Sequence, residues 1–147
     1  MLEALEIPLI SPSCVDAEGP WMESFMDHVD QKGLRVDAIG IHYYGGPEVK
    51  AFQKKLKRIH DKYEDRLIMI TEFAVADWHA ATPEENKHSR EVVLKFMIET
   101  LPWLESQEWI VGYAWFPFDE ESAAGTSSAL FHRDGTLTIL GNFYSKF

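Results

Sequence analysis

Apolar runs separated by amphipathic stretches form the basic pattern of this chain. Residues 67–74 (LIMITEFA) are a run of large apolar residues that closes with Glu72 and then a small residue. Runs of this kind are typical of strands buried on both faces of a parallel sheet. Comparable runs lie at 36–44 and 110–118, and a shorter one at 7–11 precedes a serine- and proline-rich turn. The pattern therefore predicts four strands.

The stretches between these runs repeat apolar residues at helical spacing. A helix is predicted over 19–32, and a second over 47–63 with a lysine-rich polar face. A third is predicted over 82–106, because Thr82 opens a capping box with a proline at the first helical position. Pro102 is expected to kink this helix or end it early.

The alternation of strands and helices predicts an α/β fold with a parallel sheet and right-handed crossovers. The chain has 147 residues, which suits a single domain over 1–147. Four βα units make half of a (β/α)8 TIM barrel, and a complete barrel takes roughly 250 residues. A half-barrel and a small open α/β sheet both remain compatible with the pattern.

Charge and motif content exclude several classes of function. The formal net charge is −10, which argues against nucleic acid and against an anionic membrane surface as partners. No apolar run approaches the ~18 residues of a membrane span, and the first residues show no signal-peptide pattern. Cys14 is the only cysteine, so no intrachain disulfide forms. No zinc-ligand spacing, glycine-rich phosphate loop or serine-nucleophile elbow occurs, so no cofactor or metal is predicted.

Glu72 is the first candidate for chemistry. A carboxylate at the end of a buried strand is costly unless the protein needs it there, and α/β barrels carry their catalytic groups at the carboxyl ends of the strands. A structural carboxylate paired with a lysine or arginine is the alternative. The local pattern leaves both interpretations open.

His42 and Tyr44 strengthen the catalytic interpretation. They end the strand before the Glu72 strand and share one face by the two-residue alternation. If consecutive strands pair, an imidazole and a phenol lie beside the carboxylate, where they can orient it and tune its proton affinity. The alternative for each residue alone is packing at the end of a hydrophobic layer.

Aromatic residues close to these strand ends are candidates for sugar binding. Trp115 ends the following strand, with Phe116 directly after it, and Trp78 lies in the loop after Glu72. Such rings can stack against the apolar face of a sugar. The alternative is ordinary packing in the core or in a lid.

Four motifs occur in order over almost the whole chain: residues 36–45 (VDAIGIHYYG), 68–74 (IMITEFA), 113–116 (YAWF) and the closing segment 128–144. Together they resemble the glycosyl hydrolase catalytic core of glycoside hydrolase family 128. The resemblance assigns the four strands to strands 5–8 of a (β/α)8 barrel. Tyr43 stands where that family usually has tryptophan.

The resemblance implies retaining hydrolysis of β-1,3-glucan with Glu72 as the nucleophile and His42, Tyr44, Trp115, Trp78 and Phe116 around the sugar. It also implies an extracellular or cell-wall location. Retention takes a second carboxyl group about 5–5.5 Å away as acid/base. In the family this glutamate follows an asparagine near the end of strand four, and no such pair lies on a strand here.

Two expectations follow from a half-barrel. Its exposed sheet edges and inner face favour a homo-oligomer or association with an N-terminal half. Without the acid/base, a non-catalytic module that binds carbohydrate or mediates oligomerisation is the rival function.

Overall fold

The computed structural model of the chain describes residues 7–63 and 66–147. These residues contain a three-stranded parallel sheet in the order β1-β2-β3. The strands are β1 Ala38–Gly45, β2 Leu67–Val75 and β3 Ile110–Trp115. The helices are α1 Pro20–Gln31, α2 Val49–Lys62, α3 Arg90–Glu105 and α4 Ile139–Tyr144. The predicted α/β class and the parallel pairing of consecutive strands are confirmed.

The predicted first strand is replaced by an irregular segment along the outer edge of β1. This segment, residues 7–14, pairs with β1 only through isolated parallel bridges from Ile10 to Ala38 and from Cys14 to Ile41. Two of its residues are prolines, which have no N–H to donate to a ladder. Four βα units are therefore not confirmed, because the described residues form three strands.

The third helix begins later than predicted. The Thr82 side chain makes no capping hydrogen bond, and Pro83–Glu85 is an isolated 3-10 turn. The helix α3 starts after Ser89, whose hydroxyl accepts a hydrogen bond from the Val92 N–H at 3.3 Å. Pro102 lies inside α3, which continues to Glu105, so the proline does not end the helix early. Its ring lies on the exposed side of the helix, where water can satisfy the carbonyl that the proline leaves unpaired.

The helices cover one face of the sheet and form the core with it. Alternate strand residues such as Ile39, Ile41, Ile68 and Ile70 are at most 1% exposed and belong to one cluster with buried side chains of α2 and α3. Burying each such side chain contributes about 1.5–3 kcal/mol. The opposite face of the sheet carries small and polar residues together with Leu67 and Met69, and this is the face that presents the candidate site.

None of the helices in the described part of the chain has the length and apolar character needed to cross a bilayer.

Candidate active site

An irregularity in β2 sets the direction of Glu72. Ile41 of β1 pairs with Ile70, but the next residue, His42, pairs with Glu72. Thr71 is therefore an extra residue in β2, and its hydroxyl donates a hydrogen bond to the Ile41 carbonyl at 3.3 Å. Insertions of this kind re-aim the side chains that follow them. Glu72 consequently lies on the same face of the sheet as His42.

Phe73 shows what the extra residue changes. Its ring is fully buried and stacks on Phe52 of α2 at 5.7 Å between centroids, so it lies on the helix-covered face. In an uninterrupted strand Glu72 would share the face of Ile68 and Ile70, which are buried against the helices. The bulge turns the carboxylate to the opposite, accessible face, where its side chain is 36% exposed.

Two side chains of β1 hold the carboxylate. The Tyr44 hydroxyl donates a hydrogen bond to Glu72 Oε2, and His42 Nδ1 lies 3.4 Å from the same oxygen. Glu72 Oε1 accepts no hydrogen bond from any residue that the structure describes, and no lysine or arginine among those residues pairs with the carboxylate. The juxtaposition predicted for these residues is therefore present, and one carboxylate oxygen remains available to a ligand.

The Tyr44 phenol is kept protonated. Its burial raises its pKa well above the ordinary tyrosine value, and the hydrogen bond to Glu72 and the negative charge of that carboxylate raise the pKa further. The phenol therefore stays a donor throughout the range in which carbohydrate enzymes work. It fixes the orientation of the carboxylate without competing for its charge.

Aromatic rings surround Tyr44 on this face. The ring centroids of Phe116, Phe118 and Trp78 lie 5.5, 5.7 and 5.8 Å from that of Tyr44, all in edge-to-face geometry. Trp78 is 62% exposed and Phe116 is 36% exposed. The structure thus brings two of the predicted sugar-binding rings next to the Tyr44–Glu72 pair and adds Phe118, which the sequence pattern did not single out as a site residue.

Trp115 lies on the other side of the sheet. Its ring is 4% exposed and packs edge-to-face on Phe73 at 5.0 Å. Its indole N–H donates to the Ser128 carbonyl at 2.9 Å. A ring enclosed in this way offers no face to a sugar, so the structure does not bring Trp115 to the site. The physical reason is strand parity: adjacent residues point to opposite faces, and Phe116 takes the accessible one.

Asp77 joins the two loops that carry the aromatic rings. Asp77 is 3% exposed. Its carboxylate accepts hydrogen bonds from the backbone N–H groups of His79 and Lys87 at 3.2 and 3.1 Å and from Lys87 Nζ at 3.2 Å. Its own N–H donates to the Ala124 carbonyl at 2.8 Å. These bonds lower the pKa of Asp77 to about 2. Sequence reasoning missed this residue, because an aspartate in a polar loop carries no visible signal of burial.

Within residues 7–63 and 66–147, no three histidine, cysteine, aspartate or glutamate side chains come together in a way that could hold a metal ion. The chemistry that the site offers is that of one oriented carboxylate, a phenol donor and a wall of aromatic rings. An exposed carboxylate beside stacking surfaces suits attack on, or recognition of, a sugar ring.

Comparison with known proteins agrees with this chemistry. Residues 2–144 match the family described as glycosyl hydrolase catalytic core. The chain resembles an endo-β-1,3-glucanase of glycoside hydrolase family 128, subgroup I, from Amycolatopsis mediterranei, solved in complex with laminaritriose and laminaribiose. The identity is 27% and the TM-score is 0.78, over 97% of this chain and 59% of that one.

Two further structures show the same likeness. A curdlan-specific exo-β-1,3-glucanase from Blastomyces gilchristii, in complex with glucose, is 25% identical with a TM-score of 0.71, over 98% of this chain and 56% of that one. An endo-β-1,3-glucanase from Sorangium cellulosum is 25% identical with a TM-score of 0.70, over 93% of this chain and 54% of that one. The chain thus spans somewhat more than half the length of these relatives, and the predicted resemblance to family 128 is confirmed. A comparison with curated proteins found no match.

Proposed function

Because the chain belongs to the glycosyl hydrolase catalytic core family, we propose that it carries the nucleophile half of a retaining β-1,3-glucanase active site. The observation that carries this proposal is the arrangement of Glu72. Its carboxylate lies at the carboxyl ends of parallel strands, is turned to the accessible face, and is held through one oxygen by Tyr44 and His42.

In the proposed reaction Glu72 Oε1 attacks the anomeric carbon of the sugar, and the bond to the leaving oxygen breaks. A covalent glycosyl-enzyme forms, which water then hydrolyses. Tyr44 and His42 keep the second oxygen fixed, so the attacking oxygen needs little reorientation. The leaving oxygen takes a proton from a second carboxyl group, which later activates the water.

That second carboxyl group is proposed to come from a complementary half of the barrel. The motif resemblance assigns this chain to strands 5–8 of the barrel, and none of the three strands that the structure describes carries the Asn-Glu pair that the family uses. Loss of a general acid lowers rates by about 10²–10⁴. We therefore expect little activity of this chain alone on an unactivated glucan.

The partner is proposed to be either an N-terminal half or a second copy of this chain. The outer edge of β1 is met only by the irregular segment of residues 7–14, and the other edge of the sheet is β3. Segment 7–14 already hydrogen-bonds the backbone of β1 at Ala38, Gly40 and His42, so the edge of β3 is the one at which we propose association. The face that presents Glu72 also carries Thr71 and Ala114, which are partly or fully exposed. An N-terminal half would cover this face and supply the missing carboxylate, whereas a second copy of this chain would cover the face without supplying it.

The proposed substrate is a β-1,3-glucan. Trp78 and Phe116 expose ring surface next to the nucleophile, as stacking against a sugar requires. Related enzymes of family 128 were solved with laminari-oligosaccharides. A neutral polymer also fits a protein whose formal net charge is −10, because it meets no electrostatic repulsion.

A non-catalytic module that binds glucan is the second candidate, and the missing acid/base favours it. A dinitrophenyl β-laminaribioside separates the two, because its leaving group departs without a proton. If Glu72 is the nucleophile, mixing releases a burst of about one dinitrophenolate per chain and then almost none, since no base activates water for the second step. Glu72→Gln abolishes the burst, whereas Glu121→Gln, a control on an exposed loop, retains it. Glucan binding with no burst would establish the binding module.

A further inference from the structure

A groove on the outside of the helix layer has the features of a second binding site. It runs along α2 towards the end of α3 and the start of β3. Its lining residues are aromatic, cationic and amide side chains: Lys50, Gln53, Lys54, Lys57, His60, Trp103, Gln107 and Trp109. From Lys50 to His60 the groove follows α2 for about 15 Å at the rise of an α-helix.

The groove lies away from the Glu72 site. Trp109 precedes β3, and its carbonyl accepts a hydrogen bond from the Ile68 N–H at 2.8 Å, which places it at the amino ends of the strands. Glu72 lies towards their carboxyl ends. The lining residues of α2 also differ from Phe52, Leu56 and Ile59, which this helix buries against the sheet. A complementary half-barrel that covers the sheet edges and the Glu72 face would therefore leave the groove open.

The lysines of the groove form no ion pair among the described residues, in contrast to two other cations of α2. Arg58 pairs with Glu18 at 2.8 Å, and Lys62 pairs with Glu23 of α1. Lys50, Lys54 and Lys57 form no ion pair with any residue of 7–63 and 66–147. They gather positive charge along one stripe of a protein whose formal net charge is −10. Such a stripe attracts an anionic partner and offers nothing particular to a neutral glucan.

The floor of the groove is aromatic and fixed in place. His60 stacks on Trp109 at 4.6 Å with 16° between the rings, and Trp103 meets Trp109 edge-to-face at 6.0 Å. The His60 ring is oriented by a contact of 3.2 Å between Nδ1 and the Arg66 carbonyl. Both indoles are partly exposed. Rigid rings with side-chain amides beside them suit a ligand that has flat apolar surfaces and many hydroxyl groups.

We propose that this groove binds an anionic polysaccharide whose sugar rings carry carboxylates. The indole rings contact the sugar faces, and the lysines pair with the carboxylates. The Gln53 amide and the Gln107 side-chain oxygen face the hydroxyl groups, since the Gln107 amide nitrogen already donates to the Trp103 carbonyl and the Ser106 hydroxyl. The site is separate from glucan hydrolysis and does not rest on the function proposed for Glu72. Holding one polymer while the other site engages a second would raise the effective concentration of substrate.

Calorimetric titration of the intact chain tests this proposal, with an oligogalacturonate as the probe. The wild type is expected to bind the oligogalacturonate and to lose affinity at high salt. A double variant, Lys54→Gln with Lys57→Gln, is expected to lose about 2- to 30-fold in affinity, since each exposed ion pair contributes little. A control with the same change in net charge, Lys32→Gln with Lys146→Gln, is expected to bind like the wild type.

Three results would overturn the proposal. Undetectable binding would remove it outright, and equal losses in the groove and control variants would show that only net charge matters. Equal or tighter binding of a poly-glutamate of matched charge would make the groove a site for acidic peptides. Trp109→Phe adds an independent check, because it is expected to weaken oligogalacturonate binding while far-ultraviolet circular dichroism confirms an intact fold.

Discussion

Tyr44→Phe isolates the effect of one hydrogen bond on the proposed nucleophile. The substitution removes the hydroxyl that donates to Glu72 Oε2 but keeps the ring that packs edge-to-face with Phe116 and Trp78. A hydrogen bond to a charged group contributes about 1.5–3 kcal/mol. If this energy serves to orient the attacking carboxylate, the rate of attack falls by about 10- to 150-fold.

The rate of the dinitrophenolate burst measures this effect directly, because it reports attack by Glu72 and no later step. Varying the concentration of the dinitrophenyl laminaribioside separates the maximal burst rate from the affinity for sugar. The maximal rate of Tyr44→Phe should fall within the stated range. The affinity should change by less than about threefold, because the aromatic wall is retained.

Two results would refute the reasoning behind this prediction. A burst rate within a factor of two of the wild type would show that the phenol does not orient the nucleophile. A loss confined to sugar affinity would show that Tyr44 acts as a binding residue alone. His42→Gln changes the second side chain that lies against Glu72 Oε2. It should lower the burst rate by less than Tyr44→Phe does, because the 3.4 Å contact of His42 is longer than an ordinary hydrogen bond.

Three further predictions follow from the loops and the core. The pKa of Asp77 is about 2, lower than in the unfolded chain, so the charged side chain stabilises the loops fully above about pH 4, and this stabilisation is lost as the pH falls towards 2. Asp77→Asn should make proteolysis of the loops faster at pH 5 and remove the dependence of loop proteolysis on acid. Trp115→Phe leaves the buried Ser128 carbonyl without its donor and should lower the free energy of unfolding by about 1–3 kcal/mol in urea titrations, with glucan affinity unchanged. Ser89→Ala removes the cap of α3 and should cost about 0.5–2 kcal/mol in the same assay, whereas Thr82→Ala should cost almost nothing, since Thr82 caps no helix.

Local pattern was enough to predict the elements that carry the site. The apolar run ending in Glu72 and the alternation of His42 and Tyr44 predicted side chains that the structure brings into contact. The prediction of this contact succeeded because consecutive parallel strands pair, which brings the carboxyl ends of the two strands close together. The lysine-rich helix was equally visible, because its stripe of buried residues repeats at helical spacing.

The remaining features depend on partners that the sequence does not display. The extra residue Thr71 is defined only by its mismatch with β1, so no pattern within β2 reveals it. Trp115 and Phe116 are adjacent aromatics, and alternation places them on opposite faces without saying which face is accessible. The capping box at Thr82 predicted the start of the third helix, whereas the structure has the N-cap at Ser89.

Mass mapping of the covalent intermediate is the most direct test of the proposal that Glu72 is a nucleophile. The chain is incubated with a 2-fluoro laminaribiosyl donor that carries an activated leaving group, digested at low pH, and analysed by tandem mass spectrometry. The account predicts one glycosyl adduct per chain, located on the Glu72 side chain and lost in Glu72→Gln. An adduct on another carboxylate, or none while the chain binds laminari-oligosaccharide, would contradict it.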